Sequence, residues 1–147
     1  MARPVRLLLD VNVWVALFDE QHVHNGRAVE LVSGSKLRIA SCPIVENGAL
    51  RVANIPAFNR PSVAGFQVIR EKMQAVCRDV DHEFWPDDIS LRTDKVIDWG
   101  RVSGHSQITD AYLLALAVKH KGALASFDQR IAISAVVGAT PNHLVLL

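Results

Sequence analysis

Residues 6–18 read RLLLDVNVWVALF. A continuous apolar run suits an inner strand of a parallel sheet, covered on both faces, so residues 7–9 are expected to form a short buried strand. The run ends in one carboxylate, Asp10, at the carboxyl end of that strand. Asn12 follows, and its short side chain suits capping of the next helix, expected over residues 12–18. Ligands of open α/β sheets bind beyond the carboxyl ends of the strands. One stretch therefore supplies a core strand and a polar edge, and the question becomes which other acids converge on Asp10.

Outward from this segment the chain alternates helix and strand signals. A second helix is expected over residues 25–33, stopped by Gly34, and a second strand over residues 37–40. Pro43 suits the first turn of a third helix, where its missing N–H costs nothing, and Glu46 is placed in the second turn of that helix. Apolar residues 63, 66, 69, 73 and 76 predict a helix over residues 62–76. With the Pro-bearing bend at 55–61, these two helices make a helical hairpin around residues 43–77, whose apolar excess is a candidate for self-association. Residues 80–84 alternate apolar and polar side chains, as a strand near an edge does. A short helix is expected within 89–99 and a surface loop over 100–106. The longest clear helix is expected over 110–121, capped by Thr109, with Asp110 in its first turn and Gly122 at its end. A strand over 123–126 leads to Asp128, a part-helix is expected within 131–137, and a last strand over 143–146.

Strand and helix alternating in this way argue for an α/β fold: a mostly parallel sheet with helices on both faces. The 147 residues, half of them hydrophobic, are enough for one domain with a real core and argue against wholesale disorder. The net charge of +1 neither requires nor precludes a nucleic-acid partner, because local patches matter more than the sum. Two widely spaced cysteines, Cys42 and Cys77, read as reduced thiols of a cytoplasmic protein and not as a disulfide framework or a zinc site. No uninterrupted apolar run reaches membrane-spanning length, so no membrane partner is expected. A phosphate-loop glycine motif is lacking, as is a dinucleotide fingerprint after the first strand. An aspartyl-nucleophile phosphomonoesterase usually needs a second acid where Asn12 stands.

The acids recur at element ends. Asp10 follows the first strand, Asp110 opens a helix, Asp128 follows a late strand, and Glu46 projects from the helix after the second strand. In a right-handed arrangement all four can reach one end of the sheet. Taken singly, each has an ordinary use as a cap, a turn residue or a solvated helix position. Together they would repel one another and lose hydration, and a divalent cation offsets both costs. Oxygen ligands alone fit Mg²⁺ or Mn²⁺ better than zinc. Such a site suits hydrolysis of a phosphodiester by an activated water.

The stretches LLDVNVWVAL, PIVENGALR and QITDAYLLALAVKHKGALASFDQR, in this order, resemble the successive motifs of PIN-domain nucleases, especially the VapC-type toxin ribonucleases of bacterial toxin–antitoxin pairs. FWPDDISL and GHSQITDAYLLALA resemble one VapC subgroup. The resemblance spans nearly the whole chain. It implies a PIN-like three-layer α/β/α sandwich with a central sheet of about five strands, as a single domain over residues 1–147. It implies Asp10, Glu46, Asp110 and Asp128 as catalytic, metal-holding acids, and Mg²⁺ or Mn²⁺ as cofactor. It implies cleavage of an RNA such as transfer or ribosomal RNA, a homodimer, and a VapB-type antitoxin that occludes the pocket. A noncatalytic RNA-binding PIN module and a structure-specific nuclease acting on DNA are the alternatives.

Around the acids, Asn12 and Ser126 can hydrogen-bond an acid, a bound water or phosphate, and Thr109 lies beside Asp110. Arg51, Arg92, Arg101 and Arg130 are candidates for phosphate contact, with Arg130 favoured by its closeness to Asp128. His22 and His24 form an HxH pair, read as turn and cap residues more than as metal ligands. Trp14, at helical spacing from Phe18, reads as core or as a dimer seam.

Overall fold

The computed structural model describes residues 4–53 and 65–147, so the bend at 55–61 and the expected helix start at residue 62 lie outside the described residues. The first apolar run forms β1 (Leu7–Leu9), fully enclosed, as its three consecutive leucines require. β1 lies at the centre of a five-stranded sheet in the order β3-β2-β1-β4-β5. The remaining strands are β2 (Arg38–Ser41), β3 (Asp81–Phe84), β4 (Ala123–Ser126) and β5 (Leu144–Leu146). All four pairings are parallel: Leu7 pairs with Ile39 and with Ala123, Ile39 with His82, and Leu124 with Leu144. Burial follows position in the sheet. β1 and β4 are wholly buried, while the edge strand β3 carries exposed Phe84.

The helices are α1 (Val11–Phe18), α2 (Asn25–Val32), α3 (Pro43–Ala53), α4 (Phe66–Asp79) and α5 (Gln107–Lys119). α1 packs against α2, α3 and α4, whereas α5 packs on β1 and β4. The result is the three-layer α/β/α sandwich expected from the sequence. Trp14 is fully buried, with its ring centroid 6.0 Å from that of Phe18, so it is a core residue. In α5 seven consecutive residues, Ala111–Ala117, are buried, as a helix enclosed on all sides requires.

Several local expectations differ from the structure. Residues 89–99 do not form a helix among the described residues; they hold a turn and a single antiparallel bridge between Ile97 and Val136, followed by a 3-10 turn at Trp99–Arg101. The part-helix within 131–137 is a 3-10 turn, Ile133–Ala135. α4, at 14 residues, is longer than α5, at 13. α5 starts at Gln107, so Thr109 is inside the helix and not its cap. Glu46 falls in the first turn of α3.

Gly122 has a different purpose from the one its position implies. The left-handed residue that ends α5 is Lys121, at φ 59°, and the Gly122 N–H donates to Ala117 O at 2.8 Å, the wrap of a Schellman end. Gly122 is instead needed for close approach: a Cβ there would lie 2.6 Å from the Arg6 carbonyl oxygen and 2.7 Å from Cη2 of buried Trp85. The Arg6 carbonyl belongs to the β1–β4 junction, where it accepts from Ala123 N at 3.0 Å. Backbone in a ladder has little room to yield. Gly122→Ala should therefore destabilise the protein by about 1–3 kcal/mol, as overpacking does. Urea unfolding followed by circular dichroism measures this, with an unchanged midpoint as the contrary result.

Candidate active site

In the observed strand order, the chain moves from β1 outward to β2 and β3 on one side, and β4 and β5 lie on the other. The carboxyl ends of β1 and β4 therefore flank the switch point of the sheet, where an open α/β fold leaves a crevice. Asp10 leaves β1 there. Its N–H donates to Ala125 O of β4 at 2.9 Å, and its side chain, not that of Asn12, caps α1: Oδ1 accepts from Val11 N at 2.7 Å.

The second oxygen of Asp10 meets β4. Ser126 Oγ donates to Asp10 Oδ2 at 2.7 Å and is itself fully buried. The same Oγ accepts from Asn12 Nδ2 at 3.0 Å and from Asp128 N at 3.0 Å. Asn12 Oδ1 accepts from Phe127 N at 3.2 Å, so the Asn12 side chain ties α1 to the chain leaving β4. Asp128 Oδ1 accepts from both N and Nε of Arg130, at 2.9 and 3.2 Å. Asp10, Asn12, Ser126 and Asp128 thus form one connected polar cluster.

A cavity of ≈ 680 Å³ opens above this cluster. Its polar lining is Asp10, Asn12, His22, Asn47, Arg51, Asp87, Thr109, Asp110 and Asp128. Asp110 stands in the first turn of α5, where the helix end favours an anion. Burial nevertheless pushes its carboxyl up to about 6, and the charges of Asp10 and Asp128 push the same way. Asp10 is also raised, first by burial, against its hydrogen bonds from Ser126 and Val11. Asp128 goes the other way, held below the usual carboxylate range by the hydrogen bonds from Arg130. Repulsion among these three acids is what a cation in the cavity would relieve.

Glu46 does not join them. It sits on another face of α3, where its Oε2 accepts from fully buried Ser41 Oγ at 2.7 Å. Ser41 Oγ lies 2.7 Å from His82 Nε2. A hydroxyl that donates its one proton to a carboxylate accepts at the other contact, so His82 carries its proton on Nε2. Burial lowers the pKa of His82, in keeping with that neutral ring. α3 turns Asn47 and Arg51 into the cavity in place of Glu46.

Other residues are also placed. Thr109 lines the cavity from inside α5. Arg130 is engaged by Asp128, while Arg101 pairs with Asp98 at 3.1 Å. His22 lines the cavity, with Nδ1 accepting from His24 N at 3.0 Å, and His24 stacks on Phe127 at 4.3 Å between centroids. This is a turn, as the sequence implies, but one that brings an imidazole to the acids. Asp87 is a residue the motif reading passed over. Its Oδ1 is buried with no hydrogen-bond partner among the described residues, and the Cys42 thiol touches its carboxylate. Its neighbour Asp88 is spent on His120 and Lys119. The available signal was PDD shortly after an edge strand: Asp87 lies three residues past the end of β3, whereas Asp10 follows β1 directly.

Among the described residues, no three His, Cys, Asp or Glu side chains are gathered closely enough to chelate one ion by themselves. Magnesium does not need such a cage. It keeps several waters and is commonly held by one or two carboxylates together with substrate phosphate. Asp110, whose carboxylate has no hydrogen-bond partner among the described residues, and Asp10 beside it fit that pattern, and the orphaned Asp87 oxygen fits a cavity built around polar occupants. Both cysteines are free, with thiols pushed up by burial, Cys42 to about 12 and Cys77 to about 11.

The fold and this crevice define an α/β domain with an acidic site at its switch point. The PIN domain family model matches residues 7–136, and the chain belongs to that family. It is similar to Ribonuclease VapC44 of Mycobacterium tuberculosis (strain ATCC 25618 / H37Rv), at 43% identity over 97% of this chain and 100% of the relative. Ribonuclease VapC29 of the same strain is 36% identical over 86% of this chain and 88% of the relative, and Ribonuclease VapC39 is 36% identical over 89% and 94%. No helix among the described residues is long and apolar enough to cross a membrane.

The raised Asp110 has a consequence for stability. Its folded carboxyl binds a proton more tightly than its unfolded one, so in EDTA stability should fall as pH rises from about 4 to about 6. Asp110→Asn removes that loss. Because Asp110 is only half-buried, solvent screening limits the gain at pH 7 to about 1 kcal/mol. Thermal melts of both proteins from pH 4 to pH 7.5 check this; parallel curves would contradict the electrostatic account.

Proposed function

We propose that the protein is a metal-dependent endoribonuclease that hydrolyses RNA phosphodiester bonds and acts as the toxin of a VapBC-type pair. The observation that carries this reading is the convergence of Asp10, Asp110 and Asp128, from three separate elements, on one cavity at the switch point. Three relatives that carry the name ribonuclease match this chain over nearly their full length. Asp110 and Asp10 would hold Mg²⁺ or Mn²⁺, with Asp128 adding negative potential from a position set by Arg130. Bound there, the ion supplies a more acidic water and neutralises charge on the phosphodiester.

The protein's own groups have distinct tasks. Ser126 and Val11 fix both oxygens of Asp10 before any substrate arrives, so its carboxylate needs no reorganisation. Asn12 locks the chain on which Asp128 sits. Thr109 presents a hydroxyl beside Asp110 at the cavity wall. Glu46, bound to Ser41, serves the β2–α3 junction in this reading.

The RNA class, transfer or ribosomal, and inhibition by a VapB-type antitoxin belong to the same proposal, as does a cytoplasmic setting. A single domain over residues 1–147 is also part of it, with α3 and α4 as the two arms of a helical hairpin. Exposed Phe66 and Val68 on α4 support that hairpin as a homodimer seam.

Incubating purified protein with total RNA and Mg²⁺ or Mn²⁺, then sequencing the RNA ends, tests the activity. New ends should accumulate at discrete positions, vanish in EDTA, and fall to background in Asp10→Asn. Full cleavage by a metal-free Asp10→Asn protein with a native circular dichroism spectrum would overturn the assignment.

A further inference from the structure

The cavity that holds the acids is lined by a single Lys or Arg among the described residues, Arg51. We propose that Arg51, with Asn47 one turn earlier on α3, is the edge that grips the RNA phosphate backbone beside the acids; this rests on the ribonuclease reading. An RNA strand approaching several carboxylates meets repulsion, and a cation in the same cavity is needed to hold it.

The other arginines that could serve are already engaged or lie elsewhere. Arg130 is bound by Asp128, and Arg101 by Asp98. Arg92 lines an adjoining groove that shares Ile44, Asp87 and Thr109 with the cavity, but Arg92 itself does not line the cavity. The Arg51 side chain is exposed and has no hydrogen bond or ion pair among the described residues. Residues 1–3 and 54–64 contain no Asp or Glu, so no carboxylate partner for it is hidden there.

Arg51 has one ordinary use, as a cation in the last turn of α3, favoured by the helix end. That use does not require it to line the cavity, nor does it explain Asn47 on the same face. Residues four apart on a helix are neighbours, so the pair offers an amide N–H₂ and a guanidinium fork side by side. The fork matches two phosphate oxygens at once. Gly48 keeps this face close to the acids. A Cβ there would lie 2.7 Å from Val11 Cγ2, and Val11 is the residue whose N–H caps Asp10. α3 is therefore seated against α1 at the residue next to Asp10.

The test uses an Asp110→Asn background, which prevents cleavage, and a fluorescent single-stranded RNA of mixed sequence as the probe. Arg51→Ala should weaken RNA binding about tenfold, as loss of a charged hydrogen bond does. It should also reduce the slope of log affinity against log salt by about 0.7, the value for one phosphate contact on a single strand. Arg51→Lys should keep the slope and lose part of the affinity. Asn47→Asp, which puts a carboxylate against the phosphate, should weaken binding as well. Arg78→Ala, at the opposite end of the sheet, should change neither quantity. Mn²⁺ affinity read by electron paramagnetic resonance in otherwise wild-type protein should be unmoved by Arg51→Ala. A salt slope for Arg51→Ala equal to that of Arg78→Ala would overturn the clamp, even where wild-type protein cleaves RNA. Loss of Mn²⁺ affinity together with RNA affinity would also overturn it, as a structural effect on the acids. No RNA binding by the parent, together with no cleavage by wild-type protein, would remove the ribonuclease reading and the clamp with it.

Discussion

The hydroxyl of Ser126 is the contact on which the site depends. It donates to Asp10 while accepting from Asn12 and from the backbone of Asp128, so one buried oxygen joins the ends of β1 and β4 and the start of α1. A carboxylate in the position of Asp10, only 6% exposed, would otherwise bear the cost of burial without compensation. Satisfying both oxygens opposes the upward push of burial on its carboxyl and holds the group in place. The neighbouring Asp110 is treated differently. It receives no comparable support, and its carboxyl is driven up toward neutrality. Two acids of the same chemistry are thereby made unlike: one is pre-set by hydrogen bonds, the other is left dependent on what enters the cavity.

The same division runs along α3. Four faces of a short helix cannot all serve one cavity. Pro43, Asn47 and Arg51 form one row, with Ile44 and Gly48 beside it, and this surface faces the crevice. Glu46 is displaced from that row by a single residue, and on a helix one residue is about 100° of rotation. Its carboxylate therefore meets Ser41 and His82 at the β2–β3 end, where a fully buried hydroxyl needs a partner. The acid at this position accepts from the buried Ser41 hydroxyl, and the amide beside it meets the crevice.

This explains what could be read from the residues and what could not. The central strand was legible because three consecutive leucines admit few alternatives, and α5 because its burial shows as an unbroken apolar run. Asp10, Asp110 and Asp128 were legible as element-end acids because strand ends in a parallel sheet share a direction. Position within a helix was less so. Whether Glu46 or Asn47 faces the cavity depends on how α3 rolls against α1, and that roll is decided by the tight meeting of Gly48 with Val11, residues far apart in the chain. Capping was misassigned for a related reason. Asp10 and Asn12 are both good caps, and only the contact of Asn12 with Ser126 and Phe127, more than a hundred residues away, frees Asp10 for that task. Asp87 and His22 gave no periodic signal because both lie outside helices and strands, in segments that local pattern does not place in space.

The placement of cations follows from the arrangement of acids. Arg6 shows the alternative: it is spent on Asp81 and Glu83 at the edge strand and on the carbonyl of Ile39, and so stitches the sheet. Arg130 is spent on Asp128, where it cancels a charge that would otherwise push Asp110 higher still. A cavity in which every cation were paired in this manner would present a polyanion with repulsion alone, and a divalent ion, however well held, would act at one point of a long charged strand. Leaving one guanidinium on the cavity wall without a carboxylate costs little folded stability, because surface pairs contribute little in any case. Its benefit arises only when phosphate is present. In the proposed reading, the crevice separates two demands that a polyanionic substrate makes at once: enough negative charge to retain a metal, and positive charge a short distance away to retain the chain.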